Sequence, residues 1–141
     1  DKSVVEEGAQ DGEIIARVNS VTAVSAYSKG GIMMRESLAA NARNVAITAR
    51  SGANRFHHRS LVGGETVATG TGPGIPQWLK LVRSGNTFTG YRSGNGTSWT
   101  QIGSTQIALG QTLFVGMAAT SRDVTTATTA TFGNFQVNEN P

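Results

Sequence analysis

The sequence contains no cysteine, no long apolar run and few aromatic residues. Because the 141-residue chain has no cysteine, neither disulfides nor thiolate metal sites are available to it. A cytosolic origin fits this composition, and so does a bacterial secreted protein that folds without disulfides. No run of about 18 apolar residues occurs, so we expect no membrane-spanning helix. The first ten residues do not resemble a signal peptide, although a mature secreted chain would have lost one.

Acidic residues are nearly absent from the middle of the chain. Between Ser37 and Arg122 the only acid is Glu65. One interpretation is that the basic residues of this span are solvated strand ends that discourage edge-to-edge aggregation. The alternative is a basic face for an anionic polymer, because arginine binds carboxylate or sulfate with two parallel hydrogen bonds. The basic residues concerned are Arg43, Arg50, Arg55, Arg59, Lys80, Arg83, Arg92 and Arg122.

The scarcity of acids also argues against catalysis. Glycoside hydrolysis requires two carboxylates roughly 5 to 10 Å apart. Glu13 and Glu36 fall on predicted strands, but each is a lone acid, and we expect Glu36 to pair with Arg35. No serine lies in a nucleophile-elbow pattern. We therefore expect a non-catalytic protein, with a glycoside hydrolase as the lower-ranked alternative.

No motif in the sequence predicts a cofactor. His57 and His58 are adjacent, so on a strand they point to opposite faces and cannot share one metal ion. Calcium is not predicted, since only Asp11, Glu13 and Asp123 are candidate ligands and a calcium site usually needs several oxygens; the metal content stays unknown. The glycines of residues 70–76 precede neither a Lys-Ser/Thr pair nor a helix, which excludes a phosphate loop. Nucleic acid is an unfavoured partner because few aromatic side chains are expected to be exposed.

Short strands separated by tight turns are the clearest positive signal. Residues 78–103 read WLKLVRSGNTFTGYRSGNGTSWTQIG, which predicts strands at 78–83, 87–92 and 97–102. The turns between them contain Gly and Asn, which accept positive φ at little cost. Similar patterning elsewhere gives roughly ten strands and no helix. Residues 1–10 are poorly patterned, with a short strand at 3–5 that ends at the Glu6-Glu7 pair. The prediction is a single all-β domain over residues 1–141, an antiparallel β-sandwich or jelly roll.

This central stretch, with KGGIMMRESLA at 29–39 and LFVGMAATS at 113–121, resembles one known family. It is similar to the concanavalin A-like lectin/glucanase domains of the "regulation of enolase protein" type, over residues 11–137. The resemblance implies a jelly roll that binds an extracellular polysaccharide and is attached to catalytic or anchoring domains of a larger secreted protein. The strands that precede this segment in the family are absent here. Three explanations follow: the sequence is a fragment or processed form, it is a shorter variant, or a strand donated by another chain fills the open edge.

The candidate ligand-binding residues follow from strand alternation. Tyr91 lies opposite Phe88, so if Phe88 is buried Tyr91 is outside. With basic side chains and a histidine it would frame a shallow sugar-binding surface on one sheet face. Trp78 is either part of that surface or, like Trp99, a core residue.

The predicted function is a non-catalytic carbohydrate-binding module for an extracellular polysaccharide, anionic if the arginines form a face. The alternative is an extracellular structural or assembly domain completed by a neighbour's strand. The predicted ligand-binding residues are Tyr91, Arg92, Arg59, His57, His58 and Trp78.

Overall fold

The structure is a computed structural model that describes residues 2–9, 11–22, 28–70, 72–110, 112–120 and 130–139. This part of the chain contains eleven β-strands and no helix. No helix in this part is long and apolar enough to cross a membrane. The strands are β1 (Lys2–Ala9), β2 (Gly12–Val21), β3 (Lys29–Arg35), β4 (Asn44–Arg50), β5 (Ala53–Arg59), β6 (Val67–Thr69), β7 (Gln77–Ser84), β8 (Thr87–Ser93), β9 (Thr100–Gln106), β10 (Thr112–Thr120) and β11 (Ala130–Glu139).

The strands form two antiparallel sheets packed face to face. The six-stranded sheet has the order β1-β10-β3-β4-β5-β6, and the five-stranded sheet has the order β11-β2-β7-β8-β9. The predicted all-β sandwich is thus confirmed, and so is the meander, since β7, β8 and β9 are neighbours in one sheet.

The hydrophobic core lies between the sheets because apolar side chains alternate along each strand. In β2, Ile14, Ala16 and Val18 are fully buried, and the residues between them are half-exposed. Val45 and Ile47 of β4 are also fully buried and point into the same core from the other sheet. This one-sided burial fixes the register of every central strand, since a slip of one residue would expose the whole apolar set.

Phe56 joins the two sheets through a gap left by two glycines. Gly90 of β8 and Gly103 of β9 are directly opposite each other in the five-stranded sheet. A Cβ atom on Gly90 would lie 2.6 Å from the Phe56 ring, and one on Gly103 would lie 2.5 Å from it. The ring of Phe56, which is 1% exposed, therefore fills the space that two side chains would have occupied. This contact holds β5, the strand that also carries His57 and Arg59.

Two sequence-based boundaries were wrong. The strand predicted at residues 3–5 is longer: β1 runs from Lys2 to Ala9 and pairs along β10, so Glu6 and Glu7 continue the strand instead of ending it. An edge strand has one neighbour only, so weak patterning and charged residues are tolerated there. The third meander strand begins at Thr100 and not at residue 97, because a capped loop continues to Trp99.

Candidate functional site

The outward face of the six-stranded sheet is a grid of polar and basic side chains around small residues. Because Ile32, Ile47 and Phe56 point into the core, their neighbours along β3, β4 and β5 point outward. The strand register arranges these outward positions in rows. The rows are Phe114, Arg35, Asn44 and Arg59; then Gly116, Met33, Ala46, His57 and Ala68; then Gly31, Thr48 and Arg55; then Lys29, Arg50 and Ala53.

Small residues leave a shallow depression in the middle of this surface, which is its low centre. Gly31, Ala46 and Gly116 are buried although they face outward, since their neighbours rise above them. A Cβ on Gly31 would clash with the carbonyl oxygen of Ile47, so the position excludes larger side chains. We call this outward surface of β3, β4 and β5, with its low centre and its basic rim of Lys29, Arg35, Arg50, Arg55 and Arg59, the basic face.

His57 lies near the centre of the basic face and is neutral. Its Nε2 is 2.8 Å from the hydroxyl oxygen of Thr48, a hydrogen bond across β4 and β5. Burial, with smaller contributions from the charges of Lys29 and Arg55, lowers the pKa of His57 to about 4. At neutral pH the ring therefore offers one donor and one acceptor in place of a charge.

One edge of the basic face is bordered by a loop that side-chain hydrogen bonds close. Glu36 accepts hydrogen bonds from the backbone N–H of Arg43 at 2.9 Å and from its guanidinium at 2.7 and 2.9 Å. These bonds lower the pKa of the Glu36 carboxyl. The expected pairing of Glu36 with Arg35 was wrong, because Arg35 donates instead to the carbonyls of Ser37 and Ala39. Adjacent residues on a strand diverge, whereas a loop can turn residue 43 back onto residue 36.

The outward face of the five-stranded sheet carries a different cluster, which is aromatic. Lys80 of β7 is paired with Tyr91 of β8, and its ammonium lies 4.8 Å from the centre of the Tyr91 ring and 4.5 Å from that of Trp99. Trp78 lies on the same face, two residues before Lys80. We call Trp78, Lys80, Tyr91 and Trp99 the aromatic face. Tyr91 is outside as predicted, since Phe88 is fully buried.

Trp78 and Trp99 are half-buried. They are therefore neither core residues nor fully exposed surface residues, the two alternatives that the sequence left open for Trp78. Trp78 packs against Gly96, where a Cβ would lie 3.0 Å from the indole ring. The loop around Gly96 is shaped by Ser93 and Asn95, whose side-chain oxygens accept the backbone N–H groups of residues 95 to 98. This capped loop is the reason that β9 starts late.

The predicted single surface was wrong, because the structure separates its members into three places. His57 and Arg59 are on the basic face, whereas Tyr91 and Trp78 are on the opposite side of the sandwich. Arg92 and His58 point to the space between the sheets. The Nε of Arg92 is buried beside Gly72 without a partner, and the His58 ring lies 6.1 Å from that of Phe56.

Acidic side chains in the described part of the chain are dispersed. Asp11 accepts the backbone N–H of Gly85, Glu13 accepts the side-chain amide of Asn138, and Glu36 is bonded to Arg43. The strands β3, β4 and β5 contain no Asp or Glu. No group of three or more His, Cys, Asp or Glu side chains comes together within the described ranges. Asp123, one of the candidate calcium ligands, lies outside the described residues.

The sequence indicates only part of the basic face. Arg50, Arg55 and Arg59 are among the basic residues that it offers for an anionic polymer, whereas Arg35 is predicted to form an ion pair and neither Lys29 nor Thr48 is a candidate. The alternation of β3 and β4 does indicate that these side chains point outward. Which of them meet in one row depends on strand order and register, and these are set by contacts between residues distant in the sequence.

No protein-family model and no curated protein matches the sequence. Solved structures do match in fold. Carbohydrate-binding module CBM66 from Bacillus subtilis has a TM-score of 0.64 at 15% identity, over 99% of this chain and 83% of that one. Sheep galectin-11 has a TM-score of 0.60 at 9% identity, over 97% of this chain and 98% of that one.

The GH43 protein BlXynB from Bacillus licheniformis is similar over part of its length. The TM-score is 0.72 at 17% identity, and the match covers 92% of this chain but only 27% of that protein. At such low identities the likeness shows the fold alone. The expected concanavalin A-like jelly-roll fold is therefore confirmed.

Proposed function

We propose that this domain binds a polysaccharide on its basic face, without catalysis. The observation that carries the proposal is the low, polar centre of that face. Thr48 and the neutral His57 supply hydrogen-bond donors and acceptors there. Beside them Gly31 and Ala46 are buried and leave room for a ligand. Sugar hydroxyls both donate and accept, so a site that recognises them needs both kinds of group held in place.

The solved structures of the same fold support this proposal, because their names include a carbohydrate-binding module and a galectin. The GH43 protein shares the fold, so the fold does not by itself decide between binding and hydrolysis. What favours binding is the composition of the basic face. A glycosidase needs two carboxylates near the bond that is cleaved, and β3, β4 and β5 supply none.

We propose further that the polysaccharide is extracellular and acidic, and that the domain is part of a larger secreted protein. The acidic preference is supported by five basic side chains on one face. The larger protein is supported by the GH43 match, in which this fold spans 27% of that protein, and the extracellular setting comes from the sequence resemblance. The resemblance to the "regulation of enolase" family points the same way.

The assembly alternative has less support. It was based on the absence of N-terminal strands, and β1 supplies one N-terminal strand, which pairs with β10. Tyr91 and Trp78 remain predicted ligand-binding residues, now on a separate surface. Their surface is less suited to sugar stacking, because Lys80 already covers the Tyr91 and Trp99 rings.

A blocking substitution tests which face binds. Ala46 points outward at the centre of the basic face, so Ala46→Tyr would fill the low centre. Thr89→Tyr places the same bulk on the outward side of β8, where Thr89 is bonded to Ser104. We expect Ala46→Tyr to weaken binding at least about tenfold in affinity electrophoresis, a loss of about 1.4 kcal/mol. Thr89→Tyr should bind like the parent protein.

The assay should use neutral polysaccharides (dextran, galactan) and acidic ones (polygalacturonate, alginate, dextran sulfate). Thermal unfolding of both variants shows whether they are folded. Equal binding by the parent protein and a folded Ala46→Tyr variant would refute the basic face as the binding surface.

A further inference from the structure

Arg35 and Arg59 lie in the same row of the basic face. Arg35 of β3 and Arg59 of β5 are both paired with Asn44 of β4, so one strand separates them. Their Cα atoms are thus about 10 Å apart, which is twice the usual spacing between strands. Arginine side chains are long enough to converge over that distance.

Both guanidinium groups are held in place by one loop. Arg35 donates from Nε to the carbonyl of Ser37 at 3.0 Å and from Nη2 to that of Ala39 at 2.7 Å. Arg59 donates from Nη1 to the carbonyl of Ala40 at 2.8 Å. The bonds between Glu36 and Arg43 close the same loop. Because the two side chains are already ordered, little further conformational entropy is lost when they bind a ligand.

The positive charge of this pair is not neutralised within the described part of the chain. The hydrogen-bond acceptors of Arg35 and Arg59 are carbonyl oxygens and the sulfur of Met33, and none is a carboxylate. The Nε–H of Arg59 is buried without any acceptor. Burial, and then the charge of Arg59, lowers the pKa of Arg35, which shows that the two cations repel each other. An unpaired buried donor is energetically costly, so an added acceptor for this pair would be favourable.

We propose that Arg35 and Arg59 together form an anion subsite that binds a sulfate or carboxylate substituent of the polysaccharide. This inference rests on the proposed function and assigns the charged group of the ligand to one end of the basic face. A tetrahedral or planar oxyanion accepts two parallel hydrogen bonds from a guanidinium, so it would satisfy donors of both arginines and remove their repulsion.

Inorganic anions test the subsite without any sugar. The probes are sodium sulfate and sodium acetate, with sodium chloride at equal ionic strength as the control, and the measurement is the NMR shift of arginine Nε–H groups. We expect a saturable shift at Arg35 and Arg59 and none at Arg17, which faces outward from the other sheet. A response to sulfate alone indicates a sulfate ester, and a response to acetate alone indicates a uronic acid. Shifts that match those in chloride, or that are equal at Arg17, would overturn the proposal.

Substitutions then connect the subsite to the polysaccharide. Arg59→Gln should weaken binding to dextran sulfate or carboxymethyl dextran about tenfold or more, since a charge-assisted bond is lost. Arg59→Lys keeps the charge but cannot donate two parallel hydrogen bonds to one anion. Its affinity should therefore lie between those of the parent protein and Arg59→Gln. Arg17→Gln, the matched control, should have no effect. Equal losses in Arg59→Gln and Arg17→Gln would mean that net charge alone acts, which contradicts the subsite.

The two proposals fail in different ways. If sulfate shifts Arg35 and Arg59 but no polysaccharide binds, the two arginines bind anions, and the proposed function is wrong together with the polysaccharide substituent assigned to them. If polysaccharides bind and Ala46→Tyr abolishes binding, but no anion shifts either arginine, the proposed function stands and the subsite is wrong.

Discussion

At the scale of single residues, His57 shows how burial and neighbouring charge act together. The ring lies on the outward side of β5, yet it is desolvated and close to two cations. These effects keep it neutral, and a neutral ring can share a hydrogen bond with Thr48 in either direction.

The depressed pKa of His57 predicts a pH dependence of stability. The pKa is about 4 when folded against an ordinary value of 6.5, so the unfolded chain binds more protons between these values. The free energy of unfolding should therefore fall as the pH drops from 6.5 to 4, by at most about 1.4 kcal/mol per pH unit from this group. Below pH 4 the contribution no longer changes.

Urea unfolding of the parent protein and of His57→Gln at several pH values measures this effect. The glutamine side chain in the variant retains a polar partner for Thr48 but does not titrate, so the difference between the two proteins isolates His57. Parallel pH profiles for the two proteins would show that the histidine is not desolvated.

The positions of some side chains follow from the sequence, and those of others do not. Tyr91 was placed outside because Phe88 is inside, and His57 and His58 on opposite faces, since alternation along one strand is a local property. The partner of Glu36 could not be predicted in this way. It depends on the loop that brings Arg43 back to the end of β3.

At the scale of strands, the contact of Phe56 with two glycines determines how β5 sits against the other sheet. Gly90 and Gly103 leave a gap that the ring fills, and tight interiors tolerate little extra volume. Nothing in the sequence alone indicated this contact, because the glycines of a strand are equally compatible with a bulge or a turn.

Gly103→Ala should therefore destabilise the protein by about 1–3 kcal/mol, since the added methyl group would overlap the Phe56 ring. Gly94→Ala is the matched control, because nothing lies within 4 Å of a Cβ at that position. Denaturant midpoints of both variants give the comparison. Similar midpoints would mean that the two sheets are not in close contact at Phe56.

The strands themselves were largely predictable and their ends less so. The meander was identified from its turns, whereas β9 starts three residues later than expected because Ser93 and Asn95 cap the preceding loop. The weakly patterned β1 was missed, since an edge strand owes its structure to pairing with β10.

At the scale of the whole molecule, the sandwich presents two unlike surfaces. The basic face combines Thr48, His57 and five cationic side chains, and the aromatic face combines Lys80 with three aromatic rings. The sequence indicates members of both faces but predicts that they share one surface. Sheet membership is a property of the complete topology, so only the structure could separate them.

The most direct test of the account is a two-dimensional NMR titration of the parent protein with an acidic oligosaccharide, such as an oligogalacturonate or a sulfated dextran fragment. We expect the backbone amides of β3, β4 and β5 to shift, with Thr48 and His57 among them, and those of the aromatic face to stay unchanged. Shifts confined to Tyr91 and Trp99, or no shift with any acidic or neutral oligosaccharide, would contradict the proposal that this sheet face binds a polysaccharide.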